Sequence, residues 1–498
     1  MKKFYITTPI YYVNDRSHIG HAYTTISADV LARYYRQKVG RDNVFFLTGT
    51  DEHGSKVAES AEKNKKTLKE FCDENSQAFK DAWHKLNISN DYFIRTTDER
   101  HYQSVSKLMQ KLYDQGDIYE GVYKGLYCTG CERFIMEKEL VDGKCPYHKI
   151  APKEISEKNY FFKLTKYLPV VQKAIETGKI KVLPNTKKQE VLGLFKQGLE
   201  DFSVSREKVQ WGIPLPFDNA QKTYVWVDAL QNYISAVGYG DNPKKFKNWW
   251  DESRVIHLMA KDILKFHAVF WPALLLAAGI KTPEVIFAHG FFTVDGQKMS
   301  KSLSNVIDPN ELVEKYDSDA VRYLLLSQFP FGTDGDVRAE VFLEKYNSDL
   351  ANGLGNLFER VFSLISKFSD YLMDDTNLEV DTNTKALIET IENDYCQRIE
   401  NYDLFGALKN LFDLVKQLDR YVSEKEPWVL YKKNDPSLNI VLKNLYFGIN
   451  RVYVLMEPFM PNKAEEVKKY LKKFNNLKTR GELGRLNLFP RLDNNLTK

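Results

Sequence analysis

Short apolar runs alternate with longer segments of helical period through the first part of the chain. From Ile6, ITTPIYYVND reads as an apolar strand entering a Pro-containing loop, and a helical pattern then runs to about Gly40. Residues 44–54, VFFLTGTDEHG, form a second apolar run whose C-terminal end turns polar, as in a buried parallel strand. Residues 55–86 and 98–115 have amphipathic helical periodicity. Strand, polar loop and helix recur in VIHLMAKDILKFHAVFWPALLLAAG, followed by the strand VIFAHGFF. YVWVDALQNYISAVG, residues 224–238, places Trp226, Asp228 and Tyr233 near a strand end and a helix start. This alternation predicts an α/β protein with a Rossmann-type parallel sheet. Between its two halves, residues 155–220 mix strand-like and helical pieces (YFFKL, VLPN, VQWGIPLP) and read as the rest of an insertion. Beyond about Asn352 the period is helical throughout, over 352–372, 384–398, 403–424, 437–456 and 463–474, which predicts a helix bundle.

At 498 residues the chain is too long for one core. The pattern divides it into a first Rossmann half (1–115), an insertion (116–220), a second half (221–295), a connecting region (296–350) and a helical domain (351–498). Hydrophobic residues at 43% and charged residues at 28% fit a soluble globular protein. No apolar run approaches the ~20 residues that span a bilayer. The start, MKKFYITTP, has no apolar core or cleavage site of a signal peptide, so a cytoplasmic location is expected. A net charge of +4 does not by itself indicate nucleic acid. Lys463, Lys468, Lys469, Lys472, Lys473, Lys478 and Arg480 do cluster, as a solvated helix face or as a patch for a phosphate backbone.

Chemistry concentrates at four places. His18 and His21 stand at a helix start, where unpaired amides and the helix dipole favour an anion, and Gly20 lets a phosphate approach. Two such histidines are also ordinary helix-terminal polar residues. Asp51 and His53 fall at a predicted strand end, where ligands bind in open α/β sheets, although Asp51 would also serve as a helix cap. Cys128 and Cys131 form a CxxC pair, and after thirteen intervening residues Cys145 and His148 form a CxxH pair. Three thiolates and an imidazole make a closed tetrahedral shell for a structural Zn²⁺, so the insertion is predicted to carry a zinc knuckle. Cys72 and Cys396 have no such partners and read as small buried residues. Finally, KMSKS at 298–302 puts Lys298, Ser300, Lys301 and Ser302 on a loop after a strand, suited to charge that develops on a leaving pyrophosphate.

HIGH at 18–21 and KMSKS at 298–302, both unsubstituted, make the chain resemble the class I aminoacyl-tRNA synthetases. PIYYVND, TGTDEHG, YVWVDAL and KDILKFHAVFWPALL narrow the resemblance to the methionyl family, in its bacterial single-knuckle form, over nearly the whole chain. The resemblance implies ATP binding by His18, Gly20, His21, Lys298, Ser300 and Lys301, with His18, His21, Lys298 and Lys301 catalytic and Mg²⁺ accompanying the nucleotide. It implies a methionine pocket of Ile10, Tyr12, Asp51, Trp226, Tyr233 and His267, in which Asp51 holds the α-ammonium. Some members have Pro where this chain has Leu230. It also assigns 296–350 to the KMSKS loop and a stem-contact region, and 351–498 to anticodon recognition through Asn356, Arg360 and Trp428. The partners implied are ATP, L-methionine and tRNA(Met), including the initiator. The end at Lys498 leaves no room for a C-terminal dimerising domain, so a monomer is expected.

Three other readings compete. A class I synthetase for cysteine, valine, isoleucine or leucine is one, but the branched-chain enzymes need a larger editing insertion than this chain holds. A non-catalytic, zinc-containing tRNA-binding protein is a second. A nucleotidyltransferase acting on a small metabolite is a third, for which the long helical tail has no use.

Overall fold

The computed structural model describes residues 2–14, 16–146, 149–294, 297–298, 306–368, 379–476 and 485–493. It divides into two compact units, one of Met1–Ser17, Tyr35–Ala82 and Ser89–His289, the other of His18–Tyr34, Trp83–Ile88 and Gly290–Lys498. The division falls inside two helices, α1 (Ile19–Val39) and, after α2 (Ser55–Lys63), α3 (Leu68–Lys85).

In the first unit, β1 (Lys3–Tyr12), β2 (Val44–Asp51) and β3 (Tyr92–Arg95) begin the central sheet, and α4 (Glu99–Asp114) follows. The chain then leaves it through β4 (Ile118–Cys128), β5 (Arg133–Ile135) and β6 (Lys153–Phe162), returning as β7 (Lys181–Leu183). β8 (Phe202–Ser203) joins the excursion in an antiparallel sheet ordered β5-β4-β6-β8. Three short strands, β9 (Ser205–Arg206), β10 (Pro214–Leu215) and β11 (Asp218–Thr223), form another antiparallel sheet ordered β10-β11-β9. β12 (Ser253–Ala260) and β13 (Val285–His289) complete the central sheet. Its order is β3-β2-β1-β12-β13-β7 and all its pairs are parallel. Both faces of β1, β12 and β13 are buried, which explains their largely apolar runs, broken only by buried polar residues such as Thr7, Thr8 and His257.

Two local features set the C-terminal edge of this sheet. Pro9 has no N–H to give, and the β1–β2 register shifts between Thr7 and Ile10, after which Tyr12 lies opposite Asp51. On β2, a Cβ at Gly49 would stand 2.1 Å from the Ile94 carbonyl oxygen, so only glycine lets β3 pack there. Residues 224–238 do lie where a strand ends and a helix starts. β11 stops at Thr223, and Tyr224 opens the helix Val225–Leu230, its carbonyl accepting from the Val227 and Asp228 amides.

The second unit holds the small sheet of Phe292–Val294, Gln297–Lys298 and Gly335–Asp336, then a helical array. Helices Asn356–Phe368, Thr382–Glu400, Leu404–Lys425, Ser437–Met456 and Pro461–Asn476 match the predicted periodicities. The first begins later than predicted, because Tyr346–Gly355 is wound as a π-helix. In this unit Arg322 is fully buried, pairs with Asp29 at 2.8 Å and donates to the carbonyls of Phe459, Pro458 and Leu86. Among the described residues, no helix is long and apolar enough to cross a membrane.

Candidate active site

The residues implied for a methionine pocket all lie in the first unit, beginning with Asp51 at the C-terminal edge of the central sheet. Asp51 ends β2, only 8% exposed, and its Oδ1 has no hydrogen-bond partner among the described residues. Burial pushes its carboxyl well up, and the nearby charges of Asp228 and Glu132 push the same way, opposed by the His53 amide. A buried acceptor left over in this way points to a donor that arrives with a ligand.

Asp228, on the helix Val225–Leu230, is better served. Its two oxygens accept from His53 Nδ1 at 2.7 Å and His101 Nε2 at 2.6 Å. Burial alone would raise its carboxyl, but the two histidines outweigh that and bring it to about 2. Asp228 is therefore a fixed charge that holds the end of β2, through His53, against α4, through His101.

The far wall is aromatic. Trp226 stacks on Phe266 with centroids 4.3 Å apart, and Tyr233 stacks on His257 at 4.1 Å. His267 lies in a π-helical turn, Phe266–Phe270, just before Pro272, whose missing N–H cannot continue the ordinary helical ladder. Its Nδ1 donates to the Ile263 carbonyl at 2.9 Å, so its Nε2 accepts from the Tyr233 hydroxyl at 2.8 Å. Burial drives the His267 imidazole down to about 4, so it is neutral near pH 7. Tyr233 and His267 are buried, while Ile10, Tyr12 and Trp226 are half-buried. All six residues of the implied pocket thus belong to one unit.

The three knuckle cysteines also converge. The Sγ atoms of Cys128, Cys131 and Cys145 lie within 4.8 Å of one another, those of Cys131 and Cys145 at 3.5 Å. Burial, with Cys128 and Cys145 adjacent, pushes the Cys131 thiol up. Three soft donors crowded in an apolar cluster fit a Zn²⁺ site. His148, the fourth predicted ligand, lies outside the described residues.

In the second unit, His18 and His21 stack with centroids 3.7 Å apart, and His18 Nδ1 accepts from the Gly20 amide at 3.1 Å. The Ile19 amide, at the start of α1, donates to the carbonyl of Ile307, shortly after KMSKS in the chain. Lys298 is the last residue of the strand Gln297–Lys298. Ser300, Lys301 and Ser302 lie outside the described residues. Farther along, Asn356 is exposed, and the half-buried Arg360 donates to Asp419 at 2.7 Å with its guanidinium 5.7 Å from the Trp428 ring centroid.

Three contributors escaped the sequence reading. His101 and His257 are isolated histidines within helical and strand patterns, with no motif to mark them. Glu132 follows the second knuckle cysteine, and nothing local shows that its carboxylate turns toward Tyr12.

The family described as "tRNA synthetases class I (M)" matches residues 4–154 and 148–362. Methionine--tRNA ligase of Thermotoga maritima is 43% identical over 472 residues, covering 93% of this chain and 74% of the relative. The ligase of the same name from Caldanaerobacter subterraneus subsp. tengcongensis is 43% identical over 512 residues, covering 99% and 79%. Among solved structures, Mycobacterium tuberculosis methionyl-tRNA synthetase in complex with methionyl-adenylate superposes with a TM-score of 0.90 at 35% identity, covering 99% of this chain and 100% of that one. The apo form of the same enzyme gives 0.82 at 33% identity, with 99% of both chains covered.

Proposed function

Because the chain belongs to the methionyl branch of the class I tRNA synthetases, we propose that the hollow at Asp51 receives methionine and that the chain joins it to tRNA(Met), initiator included. The reaction is that of a methionine–tRNA ligase. The methionine carboxylate attacks the α-phosphorus of ATP, pyrophosphate leaves, and the methionyl group passes to the 2′-hydroxyl of the terminal ribose of tRNA.

The observation that carries the reading is the unmatched Asp51 oxygen beside an aromatic hollow. The α-ammonium supplies the missing donor, while the thioether packs on Trp226, Tyr233 and His267, rings well suited to a polarizable sulfur. Keeping His267 neutral and paired to Tyr233 leaves no charge facing the thioether. Ile10 and Tyr12, both half-buried, complete the pocket. Such an apolar pocket separates neighbours by one methylene with only about 1–3 kcal/mol, so homocysteine is a competing substrate.

No side chain is needed as a covalent nucleophile. His18 and His21, with Gly20, serve the triphosphate at the start of α1, and Lys298, Ser300 and Lys301 stabilise charge as pyrophosphate departs, Lys301 with the largest share. Mg²⁺, when bound, neutralises triphosphate charge. Cys128, Cys131 and Cys145, with His148, would hold a structural Zn²⁺ in the insertion (116–220) between the Rossmann segments 1–115 and 221–295, a span that also returns β7 to the central sheet. Residues 296–350 carry the KMSKS loop and meet the tRNA stem. In the helical domain (351–498), Arg360 beneath Trp428 makes a stacking platform for an anticodon base, with exposed Asn356 on the same helix as Arg360. Thiols left free along the chain suit a reducing, cytoplasmic setting, and we take the acting species to be a monomer.

Charging of tRNA(Met) with labelled methionine tests this reading. Acid-precipitable methionyl-tRNA should accumulate only with ATP present. Adenylate formation without any charging would leave activation standing and remove the tRNA assignment.

A further inference from the structure

We propose that Glu132 is a positioning residue of the methionine pocket, its carboxylate fastening Tyr12 to the start of α2; the proposal rests on the assignment of the hollow to methionine. Glu132 is 4% exposed and lies at φ 47°, a left-handed conformation that non-glycine residues adopt only at a cost. That conformation turns the side chain inward, away from the knuckle whose second cysteine precedes it. One carboxylate oxygen accepts from the Tyr12 hydroxyl. The other accepts from Ser55 Oγ at 2.6 Å and the Lys56 amide at 2.9 Å, at the first turn of α2, where the helix dipole favours a negative charge. The bridge has been given room: a Cβ on Gly54, itself at φ 105°, would come within 2.5 Å of the Tyr12 hydroxyl and 2.6 Å of the Glu132 carboxylate.

The backbone beside it holds two more rings. The Glu132 carbonyl accepts from the Tyr224 hydroxyl at 2.9 Å, and the Cys131 carbonyl accepts from Trp226 Nε1 at 3.2 Å. Two consecutive residues of the knuckle therefore fix Tyr12 and Trp226, half-buried members of the pocket. Neither Glu132 nor Tyr224 stacks on the aromatic pair that closes its far end, Tyr233 on His257. The consequence is specific: loosening Glu132 should weaken methionine capture while sparing the nucleotide.

The test is pyrophosphate exchange by the full chain with methionine and ATP varied separately, on Glu132→Ala, Glu132→Gln, Tyr12→Phe and the combined Tyr12→Phe/Glu132→Gln variant. Metal content is measured for each protein. Glu132→Ala should raise KM for methionine about tenfold, with kcat and KM for ATP within about twofold of the parent. Glu132→Gln, which keeps an acceptor for α2 but turns an N–H toward the Tyr12 hydroxyl and so loses the bond that hydroxyl donates, should recover only part of the loss. The double variant should be no worse than its more impaired single parent, because both changes break one contact. An unchanged methionine KM in Glu132→Ala overturns the proposal, as does a parallel rise in both KM values. Should Glu132→Ala lose its metal or fail to fold, the Tyr12→Phe/Glu132→Gln cycle decides: coupled effects support the clamp and multiplying effects reject it. A parent enzyme that does not activate methionine would instead sink the assignment of the hollow, which is a separate result.

Discussion

Asp51 is unfavourable to its own fold, and the proposed function gives that cost a use. Its buried Oδ1 has no donor among the described residues and burial raises its carboxyl, two costs that the ammonium of the proposed ligand would relieve. Asp51→Asn should thus keep or slightly raise the melting temperature, while methionine affinity falls by the roughly 2–5 kcal/mol typical of breaking a buried charge pair. Calorimetric titration and a thermal melt check both halves. The pH dependence has a definite sign. Protonation removes the charge that holds the ammonium, and a raised pKa brings that protonation on at higher pH than for an ordinary carboxylate. Methionine KM should climb as pH falls, beginning above the usual carboxylate range near 4, and the Asn variant should be flat over the same window. Asp51 was legible because it ends an apolar run with polar residues. His257 and Glu132 were not, because their roles depend on neighbours more than a hundred positions away, Thr7 for one and Tyr12 for the other.

At the scale of elements, sequence pattern reported most strands and helices and missed what bends them. The β1 register shift at Pro9 and the π-turn before Pro272 each follow from an absent N–H, and each aims a pocket residue, Tyr12 and His267 respectively. Periodicity alone does not place such shifts, since both segments keep their apolar period across the break. The switch from strand to helix at 224–238 was read from pattern, although Tyr224, Val225 and Val227 favour strands intrinsically; the carbonyl of Tyr224 wins them for a helix. The three cysteines of the knuckle were legible, since CxxC and CxxH spacing carries its own geometry, while His148 lies outside the described residues. Cys145→Ser should leave less than one zinc per chain by elemental analysis and should shift the Trp emission, since the Cys131 carbonyl holds the Trp226 indole. A zinc content equal to the parent's would contradict the assigned ligand set.

For the whole molecule, pattern gave the elements but not their grouping. Residues of His18–Tyr34 belong to the same compact unit as Gly290–Lys498, and only long-range contacts reveal that. One such contact is the fully buried pair of Arg322 and Asp29, with the Pro458 and Phe459 carbonyls completing the guanidinium's bonds. Arg322→Ala removes one charged partner of the buried Asp29, which keeps its pair with Arg33, and unpairs the Pro458 and Phe459 carbonyls, so it should cost about 3–5 kcal/mol in denaturant unfolding. The helical domain makes a separable prediction. Trp428→Ala should weaken tRNA charging by roughly 1–3 kcal/mol, the value of one stacked base, with pyrophosphate exchange unaltered. Loss of both activities would mean that Trp428 merely fills the bundle.

The central claim is that the Asp51 hollow selects methionine for activation by ATP. Amino-acid-dependent exchange of labelled pyrophosphate into ATP, run with purified protein, magnesium and a panel of amino acids, tests it directly. Methionine should give the highest kcat/KM, homocysteine a detectable lower value, and cysteine, valine, isoleucine and leucine little above background. No exchange with methionine, or faster exchange with any other amino acid, would contradict the account.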